Sequence, residues 1–463
     1  MTSGLAGMVN ASLEVVRRLQ ASGHRVSYAC PHDVRATIER HGIDYHQLPP
    51  VNRQPAPERR RRANESRLAH KRAEWRTRVE RRSAGVAALG MEALRELLGR
   101  LKPDLVLADF DLEEHVITCV TSGVRTVILS PWFEFRRCAG LPPLGSRLVG
   151  GTSMSRWAAW TSYRCRSRLR RLRTSMRYFG TDRRGVVEEY ARRTGFPASD
   201  LWGHDWSTLF AFDSVPVWSM TAKELEFPHV QRASFSHVGP MVRLDRIEDE
   251  RAADALGAME ARIGRARAAG HRVLYGSLSS MAADADRDDD QGGASGGPFV
   301  DRLVEALASR DDWVLLLGLG GQTRALEGVL RRRGKPLPSQ IEVLPWAPQL
   351  EALKEADLFI SHAGIHSIHE AFTMGTPTVV YSASAFDQDG CAARLAFHRA
   401  ASVGSRDESS AAIAARLHGA LADESLRIRT REVRGLFSAS GGALDAAVAS
   451  VLKAVPIPDP CVS

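Results

Sequence analysis

Between residues 346 and 388 the chain gathers side chains able to hold a charged, hydroxyl-rich ligand. The run is Trp346-Ala347-Pro348-Gln349, then Ser361-His362-Ala363-Gly364-Ile365-His366-Ser367-Ile368-His369-Glu370, then Gly375-Thr376-Pro377, then Phe386-Asp387-Gln388. A strand ending at Ser361 and a small-residue turn at 362–364 predict a helix whose first backbone N–H groups face the ligand. Such a helix start, Gly364 included, is an anion site. His362 and Ser367 add side-chain donors at the same place. Glu370, one turn further on, can accept bonds from two sugar hydroxyls. Trp346 offers a flat apolar face to a base, and Asp387 with Gln388 pairs an acceptor and an amide suited to a hexose. The spacing of His362, His366 and His369 also raises a metal reading, but no Asp or Cys completes a ligand set and His362 falls in the turn. Anion binding without a metal is therefore the expectation. Gly318, Gly320 and Gly321, between a strand and a helix, make a partial Gly-rich turn that carries little by itself.

These residues, in this order, resemble the donor-binding box of family 1 glycosyltransferases, among them the bacterial zeaxanthin and macrolide glucosyltransferases. The likeness is strong over 273–404 and weaker over the first half. It implies that Trp346 stacks on uracil and that Gln349 contacts base and ribose. By the same likeness His362 and Ser367 hold the diphosphate, Glu370 the ribose hydroxyls, and Asp387 and Gln388 the transferred sugar. Ile365 stands where a tryptophan is common. His366 stands for the usual asparagine, and its imidazole can still donate a hydrogen bond. In Tyr275-Gly276-Ser277-Leu278-Ser279-Ser280, Ser280 takes the phosphate-contacting place.

Glycosyl transfer also needs a base for the acceptor hydroxyl. The family carries a histidine in an N-terminal Gly-His turn, and the matching stretch here is Gly7-Met8-Val9-Asn10. Methionine cannot take a proton. Asp109, Asp111, Glu113, Glu114 and His115 follow an expected strand at the cleft edge, and Asp109 best matches the family's orienting aspartate. Asp109, Asp111 and Glu114 are therefore the catalytic candidates. The plainer reading is an acidic, solvated helix start, which the helix dipole favours.

The elements that must position these groups are legible as alternating strands and helices. In the first half, helices are expected at 11–19, 34–40 and 113–121, with strands at 26–30, 104–108, 124–130, 207–212 and 215–219. In the second half, strands are expected at 273–275, 313–317, 341–344, 358–360 and 378–381, separated by helices at 300–308, 323–332 and 367–374. Aliphatic runs of this kind build buried parallel sheets. The fold class is α/β: a GT-B architecture, by the resemblance, of two Rossmann-like domains facing a cleft. The boundaries are 1–242 for the acceptor-binding domain, 243–270 for a linker, 271–440 for the nucleotide-sugar domain and 441–463 for a C-terminal helix and tail. The apolar strand expected before Gly7 is missing, and a start assigned too late is the favoured explanation. Segment 132–206 reads as irregular and rich in Arg and Trp, with helical patches, and 282–297 as an acidic, Gly-rich loop.

With 463 residues, 44% hydrophobic and 25% charged, the chain has the profile of a globular protein with material for two domains. No apolar run of transmembrane length is read from it, and residues 1–10 lack the features of a secretory signal. Six cysteines without CxxC spacing suggest reduced thiols and a cytoplasmic setting. The net charge of +9 is concentrated at 59–82 and 164–173. Without a recognisable module these runs do not argue for nucleic acid. They read first as a pair of solvated helix faces in an Arg-heavy protein, and otherwise as the place for any peripheral contact with an anionic membrane. Taken with the resemblance, the expected partners are a UDP-sugar and a small lipophilic acceptor, with inverting transfer of a hexose, glucose by the resemblance, and no cofactor. A dTDP-deoxysugar enzyme and a non-catalytic sugar-nucleotide binder are the rival readings.

Overall fold

The computed structural model describes the chain except residues 52–64, 204–209, 247–249, 278–296, 319–329, 331–333, 335, 384–386 and 454–463. Its second half is built on six parallel strands in the order Ile341–Leu344, Trp313–Gly318, Arg272–Ser277, Leu358–Ser361, Thr378–Val380, Ser402–Val403. Side chains alternate between the two faces of a strand. Val273, Tyr275, Val314, Leu316 and Phe359 accordingly enter one apolar cluster, while Leu274, Leu315, Leu317, Leu358 and Ile360 enter another. The chain winds outward from Arg272–Ser277 to one edge, then crosses back to lay Leu358–Ser361 on the other side of its first strand. That reversal opens a crevice beyond Ser277 and Ser361, where sheets of this kind bind ligands.

The first half holds four parallel strands, ordered Val106–Asp109, Thr126–Ser130, Val217–Ser219, Phe235–His237, and a separate parallel pair, Ser27–Cys30 with Asp44–Gln47. Residues 1–3 join them. The Met1 amino group donates to Leu107 O (2.7 Å), Asp109 N–H donates to Met1 O (2.9 Å), and Thr2 N–H reaches Ala29 O (3.3 Å). These three residues lie in the place of the expected central strand, and helix Ala6–Ala21 starts after Gly4 and the N-cap Leu5. The expected pair of Rossmann-like halves is present.

Several elements depart from the sequence reading. Segment 132–206 contains a helix of 26 residues, Ser153–Tyr178, in which only Trp160 is buried. The short strands Asp44–Gln47, Phe235–His237 and Ser402–Val403 were not anticipated, whereas the helices Arg67–Arg76 and Arg78–Ala87 fall in a basic stretch read as a solvated helix face. The expected helix at 323–332 and most of the acidic loop lie outside the described residues. Among the described residues one stretch, Glu424–Lys453, has the length and hydropathy to cross a membrane. It consists of two helices, Glu424–Ala439 and Ala443–Lys453, whose Leu426, Val433, Phe437, Leu444 and Val448 are buried in the protein. The last helix returns to the first half, where Ser22 Oγ donates to Asp445 (2.7 Å).

The two halves are in direct contact. Arg394 Nε donates to Glu226 Oε1 at 2.6 Å, both side chains fully buried. Ala222 N–H donates to His369 Nε2 (3.3 Å). A methyl group added at Gly390 would stand 1.5 Å from Leu144 O, so only glycine lets helix Gln388–Phe397 approach that loop.

Candidate functional site

At the crevice, strand Leu358–Ser361 ends in a turn fixed by its own residues. Ser361 Oγ accepts the Ala363 N–H (3.1 Å), and Ala363 takes a left-handed φ of 71°, a conformation that costs energy for a residue with a Cβ. Gly364 follows because a Cβ there would lie 2.5 Å from His362 Nε2. The helix Ile365–Met374 then begins with no side chain capping its first N–H groups. Those donors are left facing the crevice, and the helix dipole adds to their pull on an anion. His362 Nδ1 lies 3.4 Å from Ser277 O and so links the ends of the two central strands. Burial lowers the pKa of His362 and of His366 to about 4. Both rings are therefore neutral at pH 7, each with one N–H able to donate a hydrogen bond.

One turn further, Gln349, Ser367 and Glu370 converge. Gln349 Nε2 donates to a Glu370 carboxylate oxygen and lies 3.3 Å from Ser367 Oγ. Tyr275 Oη donates to Gln349 Oε1 (3.3 Å), and the Arg246 guanidinium pairs with the other Glu370 oxygen. Arg246 and Tyr275 were not anticipated: Arg246 lies in the expected linker with no neighbouring pattern to mark it, and Tyr275 reads as a strand residue. Each Glu370 oxygen retains a lone pair for a ligand hydroxyl. Trp346, three residues before Gln349, is 38% exposed, leaving its ring outside the apolar core.

Asp387 and Gln388 open the helix Gln388–Phe397. Gln388 Oε1 accepts from Ala383 N–H (3.0 Å). Asp387 Oδ2 is buried and has no partner among the described residues. A buried polar atom left in this way calls for a ligand group or water to satisfy it. Burial raises the Asp387 pKa to about 7, against the pull of Arg394. Because the folded value lies above that of a free aspartate, the contribution of this group to stability is full at low pH and is lost as pH rises towards 7. The melting temperature of Asp387→Asn, relative to the unsubstituted protein, should therefore climb between pH 4 and pH 8. Parallel melting curves across that range would exclude the raised pKa.

Across the cleft stands the start of helix Ala6–Ala21, where a Cβ on Gly7 would lie 3.2 Å from His366 Cδ2. Met8 is buried in the core beneath it. Asp109 is fully buried, and its Oδ2 accepts both the N–H (2.7 Å) and the hydroxyl (2.5 Å) of Ser3. Its Oδ1 accepts from Asp111 N–H (3.3 Å), and burial pushes its pKa up. Glu113 and Glu114 both receive Arg183 Nη2, at 2.8 and 2.9 Å. Neighbouring His115 is lowered to about 3 by burial and by Arg183. Ser280 lies outside the described residues. Among the described residues no group of three or more His, Cys, Asp and Glu side chains is arranged to hold a metal.

Residues 313–429 match the Glycosyltransferase family 28 C-terminal domain. The chain is 26% identical to the oleandomycin glycosyltransferase of Streptomyces antibioticus, over 84% of this chain and 74% of that protein. Among solved structures it is similar to the glycotransferase of kitacinnamycin, with a TM-score of 0.61, 21% identity and coverage of 97% and 96% of the two chains. It is also similar to the glycosyltransferase VinC in complex with dTDP, with a TM-score of 0.55, 15% identity and coverage of 98% and 97%.

Proposed function

We propose, from the premise that this chain is a family 1-like glycosyltransferase of GT-B architecture, that it moves a hexose, glucose first among them, from a UDP-sugar to a hydroxyl of a small lipophilic acceptor. The observation that carries this reading is the uncapped start of helix Ile365–Met374 with Gln349, Ser367 and Glu370 gathered one turn along it. In the proposed reaction the acceptor oxygen attacks the anomeric carbon from the face opposite the diphosphate. The bond from that carbon to the diphosphate oxygen breaks, and the electron pair leaves with UDP. Backbone N–H groups and the neutral His362 and Ser367 stabilise the charge that develops on the leaving group. Gln349 and Glu370 hold base and ribose, while Asp387 and Gln388 hold the sugar.

The proton of the acceptor goes to a carboxylate at the opposite edge of the cleft. Asp109 is the first candidate because it ends strand Val106–Asp109 and is tied by Ser3 to the chain just before helix Ala6–Ala21. Asp109→Asn should cut turnover about 10²–10⁴-fold with donor affinity unchanged. Full activity in that variant would move the role to Asp111 or Glu114.

Incubation with UDP-glucose and a panel of lipophilic alcohols, followed by mass spectrometry, tests the proposal directly. A glycoside of the expected mass supports it. Binding of UDP with neither transfer nor donor hydrolysis would make the chain a sugar-nucleotide binder. A dTDP-sugar donor is the second reading, favoured by one observation: Arg246 and Gln349 already engage both oxygens of Glu370. A deoxyribose, with one hydroxyl fewer to satisfy, asks less of that carboxylate, and relative turnover with UDP- and dTDP-glucose decides between them.

A further inference from the structure

The helix Ser153–Tyr178 is out of keeping with the rest of the surface. It contains eight arginines and no acidic residue, and only Trp160 along it is buried. Yet its solvent side is not simply polar. Met154, Trp157, Leu169, Leu172 and Met176 are 79%, 61%, 48%, 56% and 58% exposed, and Cys165 between them is exposed too. At about 100° per residue these six side chains fall within an arc of roughly 120°, and from Met154 to Met176 the stripe runs about 33 Å. Arg164 borders it on one side and Arg166 and Arg173 on the other, with Arg168 inside the arc. Trp160, whose Nε1 donates to Leu141 O at 2.8 Å, anchors the far side of the helix to the protein.

We infer that this face is an interfacial helix that lays the protein on an anionic phospholipid bilayer. An apolar stripe flanked by long cationic side chains meets two demands of such a surface: it buries its apolar residues at the acyl boundary while the arginines reach up to lipid phosphates. Each arginine held near an anionic surface adds attraction, and the exposed Arg164, Arg166, Arg168 and Arg173 supply it along the stripe. The same charge argues against a second copy as the occupant, because two such helices would set arginine against arginine. At its C-terminal end the stripe meets more of the same chemistry. Lys71 Nζ donates to Arg177 O (2.8 Å), and the helices Arg67–Arg76 and Arg78–Ala87 expose Leu68, Trp75 and Val79. At its N-terminal end, loop 141–150 leads from the helix to the wall of the sugar site, where Leu144 O packs against Gly390 and Arg147 pairs with Asp389 (3.0 Å). A lipophilic acceptor dissolved in the bilayer would thus be met beside the cleft.

The test is flotation of the full chain with vesicles of phosphatidylcholine alone and of phosphatidylcholine with phosphatidylglycerol, at low and high salt. The unsubstituted protein is expected to float with the anionic vesicles and to be released by salt. Leu169→Glu with Leu172→Glu, and separately Arg166→Gln with Arg168→Gln and Arg173→Gln, should each reduce that binding about tenfold or more. All five positions are exposed, so an unchanged melting temperature and unchanged UDP affinity verify the fold of both variants. Failure to float, equal flotation with neutral vesicles, or retained binding by either variant overturns the inference. So does a dimer in solution that Leu169→Glu with Leu172→Glu dissolves while no vesicle is bound. The inference does not rest on the transfer reaction: loss of vesicle binding leaves the glycosylation assay untouched, and the reverse holds equally.

Discussion

Arg394→Met is expected to destabilise the protein by about 3–5 kcal/mol, because it strips a buried carboxylate of its ion-pair partner. In the native protein the guanidinium is fully buried, donates to Glu226 (2.6 Å) and to Gly390 O (3.1 Å), and lies 4.6 and 4.8 Å from the ring centres of Phe133 and Phe227. Glu226 is further held by the N–H groups of Glu134 (3.2 Å) and Phe227 (2.9 Å). These bonds hold the side chain in place, so loss of the arginine leaves it buried without its ion-pair partner. Methionine retains much of the packing volume, and the effect then reports the charge. Adding Glu226→Gln to Arg394→Met should recover a large part of the loss, since the uncompensated charge is then gone. The readout is the unfolding transition by calorimetry. A shift of the single variant equivalent to less than about 1 kcal/mol would show that the pair behaves like an exposed one.

For the donor site, Glu370→Ala should weaken UDP binding by about 1–3 kcal/mol, or roughly 5- to 150-fold in Kd, through loss of charge-assisted hydrogen bonds to the ribose. Titration calorimetry measures this directly. The Arg246 contact makes the comparison with Glu370→Gln informative. If the carboxylate serves mainly to hold Arg246, alanine and glutamine should be equally harmful to stability and nearly harmless to affinity. If it binds the ribose, glutamine should retain an acceptor oxygen and lose less. An unchanged Kd in Glu370→Ala would falsify the assignment of the ribose to this position.

Much of the second half was legible because its strands are aliphatic and buried on both faces. The strand Ile341–Leu344 falls on the expected residues, and Leu358–Ser361 and Trp313–Gly318 each run one residue further. In the first half, helix Glu113–Thr121 matches its expected bounds. What escaped has physical reasons. Residues 1–3 carry no periodicity, and their role depends on partners about a hundred positions away, Leu107 and Asp109. The helix Ser153–Tyr178 turns its apolar residues to solvent, so the usual inference from hydrophobic pattern to core fails there. At the site, the turn at Ser361–Gly364 and the grouping of Gln349, Ser367 and Glu370 could be anticipated from residue order. Arg246 could not, because a single arginine in a charged linker carries no local signal. Nor did the sequence hint that Asp109 would be engaged by Ser3, since that bond exists only once the chain start lies alongside Val106–Asp109.

The contact between Gly390 and Leu144 O has a bearing on engineering by recombination. A hybrid that joins this acceptor half to a relative's donor half inherits a loop carbonyl that tolerates no methyl group opposite it. Crossovers near residue 242 would therefore succeed only with donor halves that bring their own glycine to that position, or with the 141–150 loop exchanged alongside. Compatibility between halves thus depends in part on a single missing carbon, well away from any crossover point.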